Sequence, residues 1–376
     1  MNINDKKDLI QREILNIWWK NKCRGTIEAA TGFGKSRLGV LACSYFAKLF
    51  NYSFKILIIV PTEALKFEWE SEFNKWKESK VFNKCIDVQC INTARKYKNK
   101  KYDLVICDEI HNYIRGKVNV KFFSNNKYDR ILGLSATIED NLVEYLNIVS
   151  PICYTLDLYQ AVELGLVSEF TMYNIPVKLN ASERKLYDEL SSKIAYTWET
   201  YHRQAWGSIT ARAQILYSAK AKMTTMKKIV GLFDEDEYGV IFNMTKDQAD
   251  AVHKNLKDRC VPHHSGVSKK KRVEHLKSFA DGRTKINILS SARTLDEGVN
   301  LPRVKYGLLM SSSSKVKQQN QRVGRVIRLG DDDKHAIVMR LYCEDTKEED
   351  WLDSSQSKLN VVNVKDLKEL KKLINN

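Results

Sequence analysis

The sequence ATGFGKS, residues 30–36, decides how the first half of this chain folds. The residues before it, RGTIEAA (24–30), predict a short strand, and those after it, RLGVLACSYFAKLF (37–50), have the apolar spacing of a helix. A glycine-rich loop between a strand and a helix is the P-loop arrangement GxxxxGK[ST], here with Ala29 in place of the first glycine. The backbone amides of such a loop and the helix N-terminus surround a phosphate. The stretch therefore predicts a phosphate-binding α/β domain rather than an ordinary glycine-rich turn.

The side chains of this loop have separate predicted roles in binding a nucleotide. Gly32 and Gly34 let the phosphates approach the backbone because glycine has no Cβ. Lys35 is predicted to reach the β- and γ-phosphates, and Ser36 to ligate Mg²⁺. Thr31 completes the candidate nucleotide-binding set of the loop.

The sequence LVICDEIH, residues 104–111, supplies the carboxylates that a P-loop needs. Asp108 and Glu109 come directly after an apolar run that predicts a buried strand. Asp108 is predicted to hold Mg²⁺, and Glu109 to polarise the attacking water. An exposed acidic loop is the alternative, and the P-loop in the same chain disfavours it.

Short, nearly continuous apolar runs recur in both halves of the chain and predict the strands of parallel sheets. They lie at 54–61, 86–91, 102–109, 130–137, 238–244, 285–292, 305–312 and 335–342. Helical patterns separate them, so the fold class is α/β with two such domains in tandem. The predicted bounds are 1–155 for the first domain, 156–236 for a boundary segment with a helical insertion, 237–345 for the second domain and 346–376 for the tail.

Two segments outside the apolar runs predict helices. Residues 182–233 contain no proline and little strand signal, which indicates a helical connector or insertion with Ser182 as its N-cap. Residues 357–376 have the pattern of an amphipathic closing helix.

The composition is that of a basic globular protein. The 376 residues are 43% apolar and 29% charged, and the formal net charge is +16. A positive excess of this size favours nucleic acid as a partner, with a merely lysine-rich soluble protein as the alternative. There is no run of 18 apolar residues, no signal-peptide pattern and no CxxC pair among the eight cysteines. We therefore expect a cytoplasmic protein without a membrane span, a disulfide framework or a zinc site.

Four motifs of this chain occur in the order and approximate spacing found in the superfamily 2 helicases and translocases, which it resembles. They are ATGFGKS, DEIH, SAT (135–137) and QRVGRVIR (321–328). Two longer stretches, 155–170 and 263–302, look most like the XPB-like group that includes the phage helicase UvsW. The resemblance implies two RecA-like parallel-sheet domains and a nucleic-acid-dependent ATPase that uses ATP and Mg²⁺.

The resemblance also assigns residues to the binding and hydrolysis of ATP. Gln11 matches an adenine-reading glutamine, although Asp8 stands where relatives often have an arginine or an aromatic residue. Arg325 and Arg328 match the arginine fingers, whose guanidinium groups neutralise charge at the γ-phosphate in the transition state. Gln321 matches the start of the same motif, and His111 is its candidate partner. Glu297, Gly298 and Asn300 match a motif that contacts both the nucleotide and the nucleic-acid strand. Ser135 and Thr137 match the element that couples hydrolysis to domain movement.

Nucleic acid is predicted to lie beyond the carboxyl ends of the strands in both domains, where ligands of open α/β sheets bind. The candidate contacts are Thr62, Thr93, Thr245, Ser265, Gly266 and Thr294. Neutral hydroxyl and amide donors bind phosphates without reading bases, so we expect weak sequence preference and strong salt sensitivity.

The resemblance implies an ATP-dependent DNA helicase or translocase that acts on single-stranded, forked or branched DNA in branch migration, fork remodelling or recombinational repair. The alternatives are an RNA-directed ATPase and a duplex-DNA motor of a restriction or remodelling assembly that does not separate strands. A non-catalytic nucleic-acid-binding module is disfavoured because Lys35, Glu109 and Arg325 are all present. We also expect a protein partner that targets the enzyme. A phage origin is expected as well, with a location in the host cytoplasm.

Overall fold

The computed structural model describes residues 3–114, 117–200, 202–292, 304–312, 322–324, 326, 336–353 and 360–374. The chain divides into two units, Met1–Val167 and Ser168–Asn376. None of the helices within these ranges is both long and apolar enough to cross a membrane.

The first unit is a parallel six-stranded sheet with helices between its strands. Its strands are β1 (Arg24–Ala29), β2 (Ile56–Val60), β3 (Ile86–Cys90), β4 (Lys101–Asp108), β5 (Lys127–Ser135) and β6 (Ile152–Leu156). Its helices are α1 (Ile3–Lys20), α2 (Lys35–Leu49), α3 (Glu63–Lys75), α4 (Ser79–Cys85), α5 (Ile91–Ala94), α6 (Lys117–Asn125), α7 (Val143–Val149) and α8 (Leu158–Glu163), with 3-10 turns at Ile110–Asn112 and Asp140–Leu142. The strand order is β3-β2-β4-β5-β1-β6.

The central strands of this sheet are buried on both faces, which explains their continuous apolar sequences. All five residues of β2, ILIIV, are buried. Trp18 of α1 packs on the sheet with no exposed surface, and its indole Nε1 donates to the Ile131 carbonyl oxygen at 2.9 Å. Helix and sheet are thus joined by apolar contact and by a satisfied polar group.

The second unit is a parallel seven-stranded sheet with its own core. Its strands are β7 (Phe170–Val177), β8 (Tyr238–Asn243), β9 (Cys260–His264), β10 (Ile288–Ala292), β11 (Val304–Leu309), β12 (Ala336–Cys343) and β13 (Val361–Asn363), in the order β13-β7-β12-β11-β8-β10-β9. Its helices are α9 (Ala181–Thr200), α10 (His202–Ser218), α11 (Lys220–Val230), α12 (Lys246–Leu256), α13 (Lys269–Ala280), α14 (Lys347–Asp353) and α15 (Leu367–Ile374), with a 3-10 turn at Lys257–Arg259. The predicted tandem α/β fold is confirmed by the two parallel sheets.

Two local predictions are wrong. Ser182 is not the N-cap of α9, because the Asn180 side chain accepts from the Glu183 amide at 2.9 Å while the Glu183 carboxylate accepts from the Asn180 amide at 3.0 Å. This reciprocal pair places the cap two residues earlier. The predicted closing helix is also shorter than 357–376, because residues Val361–Asn363 pair with β7 as a strand and the helix runs only over Leu367–Ile374.

Candidate active site

The candidate catalytic residues of the first unit meet at the carboxyl edge of its sheet. The P-loop follows β1, Asp108 ends β4, and Ser135 ends β5. Strand β5 pairs with both β1 and β4, and all of these pairings are parallel. Parallel strands end at the same edge, so residues more than 100 positions apart in the sequence converge on one place.

The P-loop has the backbone that its glycines predict. Gly32 has φ +93° and Gly34 has φ +95°, in the left-handed region that favours glycine. Helix α2 begins at Lys35, immediately after this turn. The buried Gln11 amide Nε2 donates to the carbonyl oxygens of Phe33 at 2.9 Å and Gly34 at 3.4 Å, and it would lie 2.8 Å from a Cβ at Gly34. The predicted adenine-reading residue thus contacts the phosphate loop itself.

Lys35 lies between the P-loop and the acidic motif. Its ammonium Nζ is 3.3 Å from the Ala29 carbonyl oxygen, to which it donates, and 3.9 Å from Glu109 Oε1. The side chain is buried, so its positive charge is screened less by solvent than that of a surface lysine. This is a position from which an ammonium group can bind phosphate oxygens.

Glu109 is held by the segment that follows β5. Its backbone has φ +52° and ψ +54°, a left-handed conformation that non-glycine residues seldom adopt. Its Oε2 accepts from the Ala136 amide at 3.2 Å and lies 3.5 Å from both Ser135 Oγ and His111 Nδ1. His111 Nδ1 is in turn 2.8 Å from Ser135 Oγ. The Glu109 carboxylate and two of the predicted coupling residues, Ser135 and His111, therefore form one connected polar group.

Asp108 is a buried carboxylate. Burial and, to a smaller extent, the adjacent charge of Glu109 raise its pKa from the usual 3.8 to about 6. Three interactions oppose this rise: the hydrogen bond from the Trp69 indole to Asp108 Oδ2 at 3.0 Å, the positive charge of Lys35 and a hydrogen bond from the Glu109 backbone. The Tyr113 hydroxyl donates to the Asp108 carbonyl oxygen and so also fixes the backbone here.

The predicted metal ligands have the right chemistry for Mg²⁺. Ser36 and Asp108 offer a hydroxyl and a carboxylate, the hard oxygen donors that Mg²⁺ prefers. Within the described ranges no three His, Cys, Asp or Glu side chains cluster as a metal cage. Such a cage is not required, because Mg²⁺ in phosphoryl-transfer sites is bound by one or two carboxylates together with the phosphates of the substrate.

The candidate nucleic-acid contacts of the first unit lie along the same sheet edge. Thr62 follows β2 and Thr93 follows β3, and these strands are neighbours in the sheet. Both side chains are exposed, and the Thr62 hydroxyl does not cap α3 although the residue stands at its N-cap.

In the second unit the corresponding residues follow β8 and β9. Thr245 caps α12, since its hydroxyl oxygen accepts from the Gln248 amide at 3.1 Å. Ser265 and Gly266 are exposed, and the Gly266 amide donates to His264 Nδ1 at 3.2 Å. The Thr245 oxygen and the Gly266 amide are therefore already engaged.

Seven of the predicted site residues lie outside the described residues. They are Gln321, Arg325, Arg328, Glu297, Gly298, Asn300 and Thr294.

Three side chains at the site were not predicted to act there. Lys7 Nζ donates to the Gly32 carbonyl oxygen at 3.2 Å, and Glu28 Oε1 accepts from the Ile138 amide at 2.7 Å. Trp69 donates its indole N–H to Asp108 Oδ2 at 3.0 Å. No local pattern marks any of them, because each contact joins residues from different elements.

Two family models match separate parts of the chain. Residues 3–140 match the model of the type III restriction enzyme res subunit, and residues 221–330 match the helicase conserved C-terminal domain. The DNA 3'-5' translocase XPB2 of Sulfurisphaera tokodaii is 24% identical, over 92% of this chain and 83% of that protein. The pre-mRNA-splicing ATP-dependent RNA helicase PRP28 of Pyricularia oryzae is 25% identical over 34% of this chain and 19% of its own length.

Two solved structures share the fold at low sequence identity. S. cerevisiae Dbp5 bound to RNA and ADP BeF3 superposes with a TM-score of 0.68 at 15% identity, over 97% of this chain and 92% of that chain. The Pyrococcus furiosus Hef helicase domain has a TM-score of 0.59 at 16% identity, over 93% of this chain and 99% of that chain. At these identities the likeness concerns the fold alone, and the resemblance to UvsW stays a prediction.

Proposed function

Because this chain belongs to the superfamily 2 helicases, a class of nucleic-acid-dependent ATPases, we propose that it moves along DNA at the expense of ATP, with the reaction centred on Lys35, Asp108 and Glu109. The observation that carries the proposal is the convergence of these three side chains at one sheet edge, with Lys35 Nζ 3.9 Å from Glu109 Oε1. A buried ammonium beside two carboxylates, at the N-terminus of a helix, suits a nucleoside triphosphate with its metal ion.

Each side chain has a part in the proposed hydrolysis. Lys35 and the amides of the P-loop bind the β- and γ-phosphates, and Glu109 orients the attacking water. A Mg²⁺ ion held by Ser36 and Asp108 would neutralise charge on the same phosphates. Arg325 and Arg328 are proposed to stabilise the transition state, a contribution that reaches ~10³-fold in related reactions.

Glu109 also provides the proposed link from hydrolysis to movement. Its carboxylate is hydrogen-bonded to the Ala136 amide and lies beside Ser135 and His111. A change in the charge or position of the γ-phosphate alters what Glu109 contacts, and the segment after β5 responds because it shares those hydrogen bonds. This is a local event that biases a larger conformational equilibrium.

DNA is the proposed nucleic-acid substrate. Branch migration, fork remodelling or recombinational repair is the proposed biological role. The DNA translocase XPB2 aligns over 92% of this chain, whereas the RNA helicase PRP28 aligns over 34%. RNA and a duplex motor without strand separation are the competing possibilities that the experiment must distinguish.

The test is ATP turnover measured with a panel of equal-length polymers: single-stranded DNA, duplex DNA, forked DNA and RNA. We expect DNA to stimulate turnover more than RNA, and forked DNA to be unwound in a parallel strand-displacement assay. Lys35→Ala and Glu109→Gln should each lower stimulated turnover by at least ~100-fold. Unchanged turnover in either variant would overturn the site, and stronger stimulation by RNA would overturn the choice of DNA.

A further inference from the structure

Trp69 joins the helix after β2 to the carboxylate at the end of β4. It lies in α3, is 1% exposed, and donates its indole N–H to Asp108 Oδ2 at 3.0 Å. An indole can only donate, so this contact cannot reverse its polarity as a hydroxyl contact can. The hydrogen bond fixes one oxygen of a carboxylate that would otherwise rotate about its own bond.

The position of the indole ring is itself fixed by packing. The ring lies against α2 at Gly39, where an added Cβ would be 2.4 Å from Trp69 Cη2. On its own helix it contacts Phe73, with ring centroids 6.3 Å apart. The donor therefore has little freedom, because the P-loop helix and its own helix both confine the ring.

A hydrogen-bond donor stabilises a carboxylate most where that carboxylate is buried. A hydrogen bond to a charged group contributes more free energy than one between neutral groups, and its contribution is larger still where water is excluded. Groups that orient a metal ligand from behind are a recurrent feature of metal sites. The Trp69 indole is such a group if Asp108 holds the metal ion.

We propose that Trp69 is a positioning residue that orients Asp108 to bind Mg²⁺ with the nucleotide. The inference rests on the proposed function, since it takes Asp108 as the metal ligand. The proposal adds Trp69, a residue of α3, to the candidate active site. Helix α3 begins directly after Thr62, a candidate nucleic-acid contact. The helix that follows a predicted nucleic-acid contact thus touches the metal-binding carboxylate through one side chain.

The test compares Trp69→Phe with Trp18→Phe in the full chain. Both residues are buried tryptophans of the first unit whose indoles donate one hydrogen bond, at 3.0 Å from Trp69 to Asp108 and at 2.9 Å from Trp18 to the Ile131 carbonyl oxygen. Phenylalanine keeps an aromatic ring and removes the donor in each case. Binding of a fluorescent ADP analogue is measured by anisotropy, first in EDTA and then as Mg²⁺ is added.

We expect Trp69→Phe to raise the Mg²⁺ concentration for half-maximal effect by ~10-fold or more, with nucleotide affinity in EDTA unchanged. Trp18→Phe should leave both quantities at the wild-type values. A Trp69→Phe titration that matches Trp18→Phe would overturn the inference while the proposed function stands. A wild-type protein whose nucleotide binding ignores Mg²⁺ would overturn both. If Trp69→Phe folds poorly, Trp69→Met, whose side chain also has no N–H or O–H donor, gives the same comparison.

Discussion

At the scale of single residues, burial decides the protonation of His263. This side chain is 4% exposed in β9, one residue before the His264–Asp250 pair. The pKa of His263 is lowered from 6.5 to about 4, mainly by burial and to a smaller extent by electrostatic interaction with Arg272, His275 and His264. His263 is therefore neutral at physiological pH in the folded chain, next to the candidate contacts Ser265 and Gly266.

We predict that His263 makes the second unit less stable in mild acid. The unfolded chain takes up a proton near pH 6.5 and the folded chain only near pH 4, so the stability present above pH 6.5 is lost as pH falls towards 4. The shift corresponds to about 3 kcal/mol at most. Urea unfolding at several pH values should show a smaller loss for His263→Gln than for wild type. Identical pH profiles would contradict the prediction.

The sequence singles out candidate catalytic residues more readily than the residues that contact them. Lys35, Asp108 and Glu109 are predicted because phosphate and metal binding need these residue types directly after strands. Trp69, which donates to Asp108, and Glu28, which accepts from the Ile138 amide, are not predicted, because an indole or a carboxylate at such a position is equally common in a core or on a surface. Which group each one meets depends on how the elements pack.

At the scale of elements, Gly39 sets the distance between α2 and α3. A Cβ there would lie 2.4 Å from Trp69 Cη2 and 2.8 Å from Trp69 Cζ3. No rigid ring can accept so short a contact, so the two helices require glycine at this point.

We predict that Gly39→Ala destabilises the chain although alanine is the better helix former. Overpacking costs ~1–3 kcal/mol, and over most of that range the cost exceeds the ~1 kcal/mol gained in helix propensity. Gly207→Ala in α10 is the matched control, because nothing lies within 4 Å of its added Cβ. Urea unfolding should show a lower midpoint for Gly39→Ala and an equal or higher one for Gly207→Ala. A stabilised Gly39→Ala variant would refute the packing argument.

Strands with continuous apolar sequences were predictable, and most of the others were not. Three of the four missed strands, β6, β9 and β13, lie at sheet edges, where pairing on one side suffices and polar residues or proline are tolerated. The fourth, β7, contains Asn174, which is buried and accepts from Arg340 Nε at 2.9 Å. The polar Asn174 interrupts the apolar pattern of β7, so the sequence did not predict this strand, and only the tertiary contact with Arg340 explains the residue.

At the scale of the whole molecule, the sequence predicts two α/β units but not what holds each one together. In the second unit the Lys222 ammonium is buried against Glu348, with Nζ 2.8 and 2.7 Å from the two carboxylate oxygens and 2.8 Å from Ser311 Oγ. The pair joins α11 to α14 across 126 positions of sequence. Periodicity reports which face of a helix is apolar and cannot reveal a contact over such a separation.

The net charge of +16 belongs to the whole chain and predicts how it binds nucleic acid. Lysine and arginine contacts to phosphates release counterions, so affinity should fall linearly on a log–log plot against salt, with ~10³-fold loss between about 50 and 200 mM for six or more such contacts. Neutral hydroxyl groups such as those of Thr62 and Ser265 bind phosphates without reading bases, so a scrambled DNA of equal length should bind equally well. Fluorescence anisotropy over a salt series measures both quantities. A flat salt response, or a strong preference for one sequence, would contradict a backbone-directed motor.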